Sequence, residues 1–214
     1  MERIVCLAIG YIFGLFQTGY IYGKLHNVDI RTMGSGNAGT TNALRTMGFK
    51  AGAITFLGDA FKCIFAVLAV KLIFGNSHAD ILPLLAMYAG CGAVLGHNFP
   101  FYLQFRGGKG IAATAGLLAS TLNIGLVCVC LLSFAIPVLV TKYVSLGSLI
   151  VVTIYLLCVI GYGQTGGFGV DQIVLNEMYV IAAFLMILAF IRHRANIKRL
   201  LNGTENKIGV SKKI

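Results

Sequence analysis

The sequence predicts an all-α, polytopic integral membrane protein with seven transmembrane helices and with Gly-rich motif loops on the cytoplasmic side. Hydrophobic residues make up 57% of the chain and charged residues only 11%, whereas soluble domains carry about 25% charged residues. The mean hydropathy is +0.85, and the apolar runs approach the length of about 20 residues that a membrane-spanning helix needs. The 214 residues suit a single membrane-embedded domain over 1–214, surrounded by the lipid bilayer.

Polar segments divide the apolar sequence into the predicted spans. The first run is interpreted as a retained helix and not a cleaved signal peptide, because its start carries both Glu2 and Arg3 and no small-residue cleavage site follows. The apolar run 111–140 is too long for one span, and Asn123 near its middle divides it. A re-entrant segment over 111–121 is the alternative there. The predicted spans are 4–23, 51–74, 81–96, 111–121, 124–140, 146–162 and 176–191.

The distribution of positive charge predicts the orientation. With seven spans, fourteen of the 17 Lys and Arg residues lie on one face. Seven of these are in the region from Lys24 to Lys142, where Lys62 and Lys71 are not counted, and seven are in the tail after residue 191. The positive-inside rule makes this face cytoplasmic, so the N-terminus is expected outside and the C-terminus inside. A single span over 111–140 would separate the three polar motifs described below, so the split is favoured. This topology explains the net charge of +10 without a nucleic-acid partner.

The cysteine and carboxylate patterns do not indicate a metal site. All six cysteines fall in apolar stretches and none forms a C-x-x-C pair, which is typical of small packing residues in a membrane protein. The sequence also lacks a carboxylate cluster suited to Mg²⁺. We therefore expect neither a metal nor a cofactor.

The first polar motif, Met33–Arg45, has the sequence MGSGNAGTTNALR. Its three glycines allow the backbone to approach a ligand closely, and successive N–H groups in such turns form a concave anion site. Arg45 adds a planar fork that is always charged. The motif therefore predicts a site for phosphate or carboxylate oxygens. The alternative is a polar reverse turn, which requires neither Arg45 nor so many hydroxyl and amide groups.

The second polar motif, His97–Gly110, has the sequence HNFPFYLQFRGGKG and leads into an apolar helix. A Gly-rich turn with Lys109 at a helix N-terminus combines free N–H groups, the positive end of the helix dipole and a point charge, which together bind phosphate. The spacing is not that of a Walker A loop. The alternatives are that Lys109 is a positive-inside anchor and that His97 is an interfacial turn residue.

The third motif, residues 192–205, has the sequence RHRANIKRLLNGTE. His193 and Asn196 are spaced i, i+3, so they can face one site on a helix. The alternative is a basic tail that binds anionic lipid.

Asp59 and Lys62 share the same spacing inside the second predicted span. Charges inside a membrane are costly and usually functional. The alternative for this pair is an ion pair that fixes helix packing.

Taken together, the three motifs resemble those of a known family. The segments SGNAGTTNALR (35–45), GHNFPFYLQFRGGKGIA (96–112) and HRANIKRLLNGTE (193–205) are similar, in order and spacing, to the motifs of the bacterial acyl-phosphate:glycerol-3-phosphate acyltransferases, the PlsY family. The resemblance covers the whole chain. The one small departure from the family's motifs is Arg106, at a position where the family is expected to carry Lys as often as Arg. The positive charge is kept there.

The resemblance implies transfer of a fatty acyl group from acyl phosphate to glycerol 3-phosphate. The products would be lysophosphatidic acid (1-acyl-glycerol 3-phosphate) and phosphate, in the first step of bacterial phospholipid synthesis. It further implies seven helices in the bacterial inner membrane, with the N-terminus outside and the active site cytoplasmic.

The resemblance also implies roles for particular residues. No protein nucleophile is expected, because acyl phosphate is an activated anhydride whose own phosphate can accept the hydroxyl proton, which leaves positioning and charge neutralisation to the protein. Lys109, His193 and Asn196 are the expected catalytic residues. The expected substrate-binding residues are Ser35, Gly36, Asn37, Thr41, Asn42, Arg45, His97, Gly108, Lys109, Gly110, Ser145, His193 and Asn196.

Three other classes of protein are weighed against this one. An organophosphate transporter uses similar Gly-broken helices but places its charged sites near the membrane midplane. A CoA-dependent acyltransferase would carry H-x-x-x-x-D, and no histidine of the chain has an aspartate at that spacing. An anion-sensing or lipid-binding scaffold is the third alternative.

Overall fold

The computed structural model of the protein describes residues 1–209, which form α-helices joined by short loops and 3₁₀ turns. Lys212 and Lys213, two of the tail cations counted above, lie outside the described residues. The α-helices are α1 (Glu2–Gly14), α2 (Thr18–Leu25), α3 (Thr40–Met47), α4 (Phe49–Phe74), α5 (Leu82–Asn98), α6 (Ile111–Thr121), α7 (Ile124–Thr141), α8 (Val144–Gln164), α9 (Gln172–Arg192) and α10 (Arg194–Leu201).

Within these residues, six segments are long and apolar enough to cross a membrane, and the predicted all-α membrane fold is confirmed. The predicted seventh span corresponds to α6, an apolar helix of 11 residues. The count of seven crossings therefore stays a prediction. The six segments are Glu2–Leu25, Phe49–Phe74, Ala79–Leu103, Ile124–Thr141, Val144–Gln164 and Gln172–Arg192.

The predicted division of the run 111–140 is confirmed. Helix α6 ends at Thr121 and α7 begins at Ile124. Asn123 caps α7, and its side-chain oxygen accepts a hydrogen bond from the Leu126 N–H at 3.0 Å. Asn is a favoured N-cap residue because its oxygen satisfies an N–H group that the first turn leaves unpaired.

The first span is interrupted, so the prediction of one continuous helix over 4–23 is wrong. Gln17, which is fully buried between α1 and α2, donates from Nε2 to three carbonyl oxygens, among them that of Gly14 at 3.1 Å. The Phe16 carbonyl accepts a hydrogen bond from the Lys62 ammonium at 2.7 Å. A helix break inside a membrane is stable only where other groups satisfy the freed backbone atoms, and here the local Gln17 and the distant Lys62 do so.

Helices α1 and α5 are in backbone contact. A Cβ atom added at Gly10 or Gly14 of α1 would overlap carbonyl oxygens of α5, and one at Gly92 or Gly96 of α5 would overlap carbonyl oxygens of α1. Small residues at this spacing let membrane helices approach closely, which replaces the hydrophobic driving force absent in lipid. Because α5 is held in this way, the second motif leaves its C-terminal end from a fixed position.

The predicted pairing of Asp59 with Lys62 in α4 is present, with 2.8 Å between Nζ and Oδ1. Both side chains are buried, at 1% and 4% exposure respectively. The Thr18 hydroxyl donates to the same carboxylate oxygen at 3.1 Å. The Lys62 ammonium also reaches Nδ1 of His97 in α5 at 2.8 Å. These contacts join α4 to the interrupted first span and to α5, as a packing ion pair does. Asp59 also lines the cavity described below, so the functional interpretation of the pair stays a prediction.

Candidate active site

One cavity of about 280 Å³ brings the three motifs together. It lies where α3, the start of α6, the start of α8 and α10 meet. Gly36 and Gly108 are not among its lining residues, and their predicted substrate contacts stay predictions. The predicted site residues that line the cavity are Ser35, Asn37, Thr41, Asn42, Arg45, His97, Lys109, Gly110, Ser145, His193 and Asn196.

Asn42 determines the shape of the first motif. Its side-chain amide donates to two upstream carbonyl oxygens, each at 3.0 Å, and its oxygen accepts from the Ser35 N–H at 2.9 Å. Gly34 has φ +58°, and a Cβ there would overlap the Asn42 side-chain oxygen. Asn42 therefore stabilises the loop, a role that the sequence pattern did not indicate, while a direct substrate contact stays a prediction.

Arg45 lies at the end of α3, is exposed, and forms no hydrogen bond with the described residues. Its guanidinium is thus available to an anion in the cavity. Two buried hydroxyl groups that line the cavity, those of Thr40 and Ser145, also have no partner among the described residues. Thr40 was not predicted as a site residue. Such groups can orient the oxygen atoms of a ligand.

The loop of the second motif, residues 107–110, packs directly against the end of α5. The N–H groups of Gly107 and Gly108 donate to the carbonyl oxygens of Asn98 and His97 at 3.2 and 3.1 Å. A Cβ at Gly108 would overlap the His97 imidazole, so glycine is required by this close approach. Gly110, with φ +86°, is the N-cap of α6. The first turn of this helix therefore presents its unpaired N–H groups beside Lys109.

His97 is 2% exposed, so the alternative of an interfacial turn residue is wrong. Its Nδ1 lies 2.8 Å from the Lys62 ammonium. Because an ammonium can only donate, Nδ1 is the acceptor and the ring proton is on Nε2. The ring supports the loop at Gly108 and also lines the cavity.

Lys109 belongs to a partly buried chain of polar side chains that line the cavity. Its ammonium donates to the Asn196 side-chain oxygen, and the Asn196 amide donates to Glu205 at 2.8 Å. The other Glu205 oxygen accepts from Arg199 Nε at 2.8 Å. Arg199 and Glu205 were not predicted as site residues. The sequence did contain a signal for Glu205, since it is the only acidic residue after Arg192.

Burial lowers the pKa of Lys109 to about 8. The negative charge of Glu205 opposes this shift, whereas the positive charges of Arg199, Arg192 and Arg45 add to it. A dianionic phosphate in the cavity would be a strong counter-charge for this group, because Lys109 is held among cations.

His193 is neutral in this environment. Burial, with the adjacent Lys109 ammonium as a second cause, lowers the pKa of His193 to about 4. Its Nδ1 lies 2.7 Å from the Ala189 carbonyl oxygen, which can only accept, so the proton is on Nδ1. The Nε2 atom of His193 is then an acceptor available to a hydroxyl group of a ligand.

Most of the remaining lining of the cavity is apolar, although Asp59, Ser148 and Asn206 also line it. A cationic end and an apolar wall in one cavity suit an amphiphile with an anionic head group. The apolar lining residues are Leu44, Phe56, Ile111, Ala112, Phe134, Val138, Val144 and Ile208.

The chain is similar to known proteins over nearly its whole length. A family model described as glycerol-3-phosphate acyltransferase matches residues 4–203. A glycerol-3-phosphate acyltransferase of Clostridioides difficile (strain 630) is 45% identical over 212 residues, covering 98% of this chain and 97% of that protein. One of Thermoanaerobacter sp. (strain X514) is 41% identical over 213 residues, with 98% and 97% covered.

The fold matches a solved structure over nearly its whole length. The crystal structure of PlsY, an integral membrane glycerol 3-phosphate acyltransferase, in its glycerol 3-phosphate form is similar with a TM-score of 0.79 and 31% identity. The match covers 98% of this chain and 96% of that one. The lysophosphatidic acid form gives a TM-score of 0.79 and 28% identity.

The pKa of Lys109 leads to a prediction about pH. Because the pKa of about 8 lies below the ordinary value, the ammonium is lost as pH rises above 8. The binding constant for the phosphate ligand that Lys109 holds should then fall, at most about tenfold per pH unit if only the ammonium form binds. Isothermal titration calorimetry of the detergent-solubilised protein between pH 7 and 9.5 measures this. Lys109→Arg, which stays charged, should remove the decline, and equal wild-type affinity at both pH limits would contradict the prediction.

Proposed function

The chain belongs to the glycerol-3-phosphate acyltransferase family, and from this premise we propose that it transfers a fatty acyl group from acyl phosphate to glycerol 3-phosphate. The products are lysophosphatidic acid and phosphate. The observation that carries the proposal is the single cavity in which Arg45 and Lys109 lie beside an apolar wall. Both substrates carry a phosphate, and the donor also carries an acyl chain that requires apolar surroundings.

The reaction needs no nucleophile from the protein. The glycerol hydroxyl oxygen attacks the acyl carbonyl carbon, the bond from that carbon to the phosphate oxygen breaks, and the released phosphate takes the hydroxyl proton. Catalysis then consists of positioning the two substrates and neutralising phosphate charge. Arg45 and Lys109 supply the charge.

The remaining polar residues orient the substrates. The neutral Nε2 of His193 accepts a hydrogen bond from the attacking hydroxyl, and Asn196 aligns the Lys109 ammonium with the phosphate. These roles make Lys109, His193 and Asn196 the catalytic residues. The residues proposed to orient other substrate oxygens are Ser35, Asn37, Thr41 and Ser145.

The donor is tested by substrate choice. Purified protein incubated with glycerol 3-phosphate should form lysophosphatidic acid with acyl phosphate, and not with acyl-CoA or acyl carrier protein, and EDTA should leave the rate unchanged. Lys109→Ala protein provides the background. Robust turnover with acyl-CoA that has been freed of acyl phosphate would show that the proposed donor is wrong.

Arg45 and Lys109 are tested by kinetics. Removing a charged hydrogen-bond partner costs roughly 1.5–3 kcal/mol, so Arg45→Ala and Lys109→Ala should each lower kcat/KM by about ten- to a hundredfold. Arg45→Lys should restore activity only in part, because an ammonium lacks the planar fork. Lys50→Ala is the matched control, since Lys50 is an exposed cation near Arg45 that does not line the cavity. Kinetics like those of the wild type in either test variant would remove that residue from the site.

We further propose that the protein lies in the bacterial cell membrane with its N-terminus outside and its active site cytoplasmic, as the positive-inside rule predicts. In a variant without the native cysteines, Thr165→Cys should react with a membrane-impermeant maleimide in intact cells. Asn202→Cys should react only after permeabilisation. Both positions are exposed, so accessibility within the fold does not bias the comparison. The reverse labelling pattern would overturn the orientation.

A further inference from the structure

Arg192, the last residue of α9, contacts the loop 107–110 without lining the cavity. Its Nη2 donates to the carbonyl oxygens of Gly107 and Gly108 at 3.0 and 2.8 Å. Its guanidinium carbon lies 5.3 Å from the centre of the Phe99 ring, at a cation–π distance. The side chain is thus fixed on one side by an aromatic ring and on the other by two consecutive peptide groups.

The charge of Arg192 has no carboxylate partner among residues 1–209. Its Nε is buried and has no hydrogen-bond partner there. Placing a guanidinium where only carbonyl dipoles and one aromatic ring balance its charge is unfavourable compared with solvent. An ordinary surface anchor would avoid this arrangement, as the exposed Arg194 does two residues later.

The backbone of Gly107 and Gly108 is held on both sides. The N–H groups of these two residues donate to carbonyl oxygens at the end of α5, and their C=O groups accept from Arg192. The next N–H groups, those of Lys109, Gly110 and Ile111, donate to no described residue, and these three residues line the cavity. The loop therefore presents free donors to the cavity while its carbonyl oxygens, which would repel an anion, are bound elsewhere.

We infer that Arg192 is a positioning residue, which turns the Gly107 and Gly108 carbonyls away from the phosphate that Lys109 binds. The inference rests on the proposed function, because it assigns that phosphate to one of the two proposed substrates. Arg192 acts through the loop and touches neither substrate.

The test is a separation of KM from kcat. Arg192→Ala should raise the KM of one substrate at least about tenfold, as expected for a lost charged contact. It should be the substrate whose KM also rises in Lys109→Ala. The kcat and the other KM should stay within about threefold, because the attacking hydroxyl and the acyl group are held elsewhere. In the double variant Arg192→Ala/Lys109→Ala, the KM should rise by less than the product of the two single increases, since both residues act through one loop.

Arg194→Ala is the matched control, because it removes the same charge from an exposed residue that forms no hydrogen bond with the described residues. It should leave all kinetic constants unchanged. Arg192→Lys keeps the charge but lacks the fork that reaches both carbonyls, and should give an intermediate KM. An equal rise of KM in Arg194→Ala would assign the effect to net charge and overturn the positioning role.

Two other outcomes also overturn the inference. One is an Arg192→Ala protein with wild-type KM values. The other is a uniform loss of kcat and of both affinities together with a lower Tm, which would indicate a structural role only. If Arg192→Ala does not fold, Arg192→Lys decides, since a wild-type KM there excludes the need for two carbonyl contacts. Failure of the wild type to use acyl phosphate would instead refute the proposed donor, and the KM for glycerol 3-phosphate is then compared among the variants with whichever donor supports turnover.

Discussion

The buried ammonium of Lys62 is the interaction on which the rest of the structure depends. It donates to the Asp59 carboxylate, to Nδ1 of His97 and to the Phe16 carbonyl, all within 2.7–2.8 Å. A charge inside a membrane protein is tolerated only when it is paired and fully hydrogen-bonded. The hydrogen bonds of this one ammonium therefore stabilise the break in the first span and fix α4 against α5. They also set the tautomer of His97, whose ring supports the loop that carries Lys109.

Close backbone contacts position the loop of the second motif at the cavity. The glycines of α1 and α5 bring the two helices together, and Gly108 allows the loop to rest on the His97 ring. At the cavity itself the charges are unbalanced: Arg45, Lys109 and Arg199 face two carboxylates, those of Glu205 and Asp59, and the Asp59 carboxylate is already paired with Lys62. In the proposed function, the substrate phosphates supply the missing negative charge. Their binding is thus coupled to a site that the fold keeps electropositive and partly dry.

Several properties could be predicted from the sequence because they depend on local composition or on short spacing. Hydropathy indicated the membrane fold, and the polar cap at Asn123 divided the long apolar run. The i, i+3 spacing identified the pairing of Asp59 with Lys62. The three motifs indicated the acyltransferase family, which the comparisons confirm. Most residues predicted for the site do line one cavity, because Gly-rich cationic loops rarely have another reason to occur together in so apolar a chain.

Contacts between residues far apart in the chain were decided only by the tertiary structure. The break between α1 and α2 follows Gly14 and contains no proline, and it is stable because Gln17 bonds carbonyl oxygens of α5 and Lys62 bonds the Phe16 carbonyl. Arg192 and Glu205 lie in the third motif, but the sequence assigned neither a role. The fold places Arg192 on the carbonyls of the loop 107–110 and Glu205 in contact with Asn196. Sequence patterns determine which groups need a partner, whereas the packing of helices determines which partner each group finds.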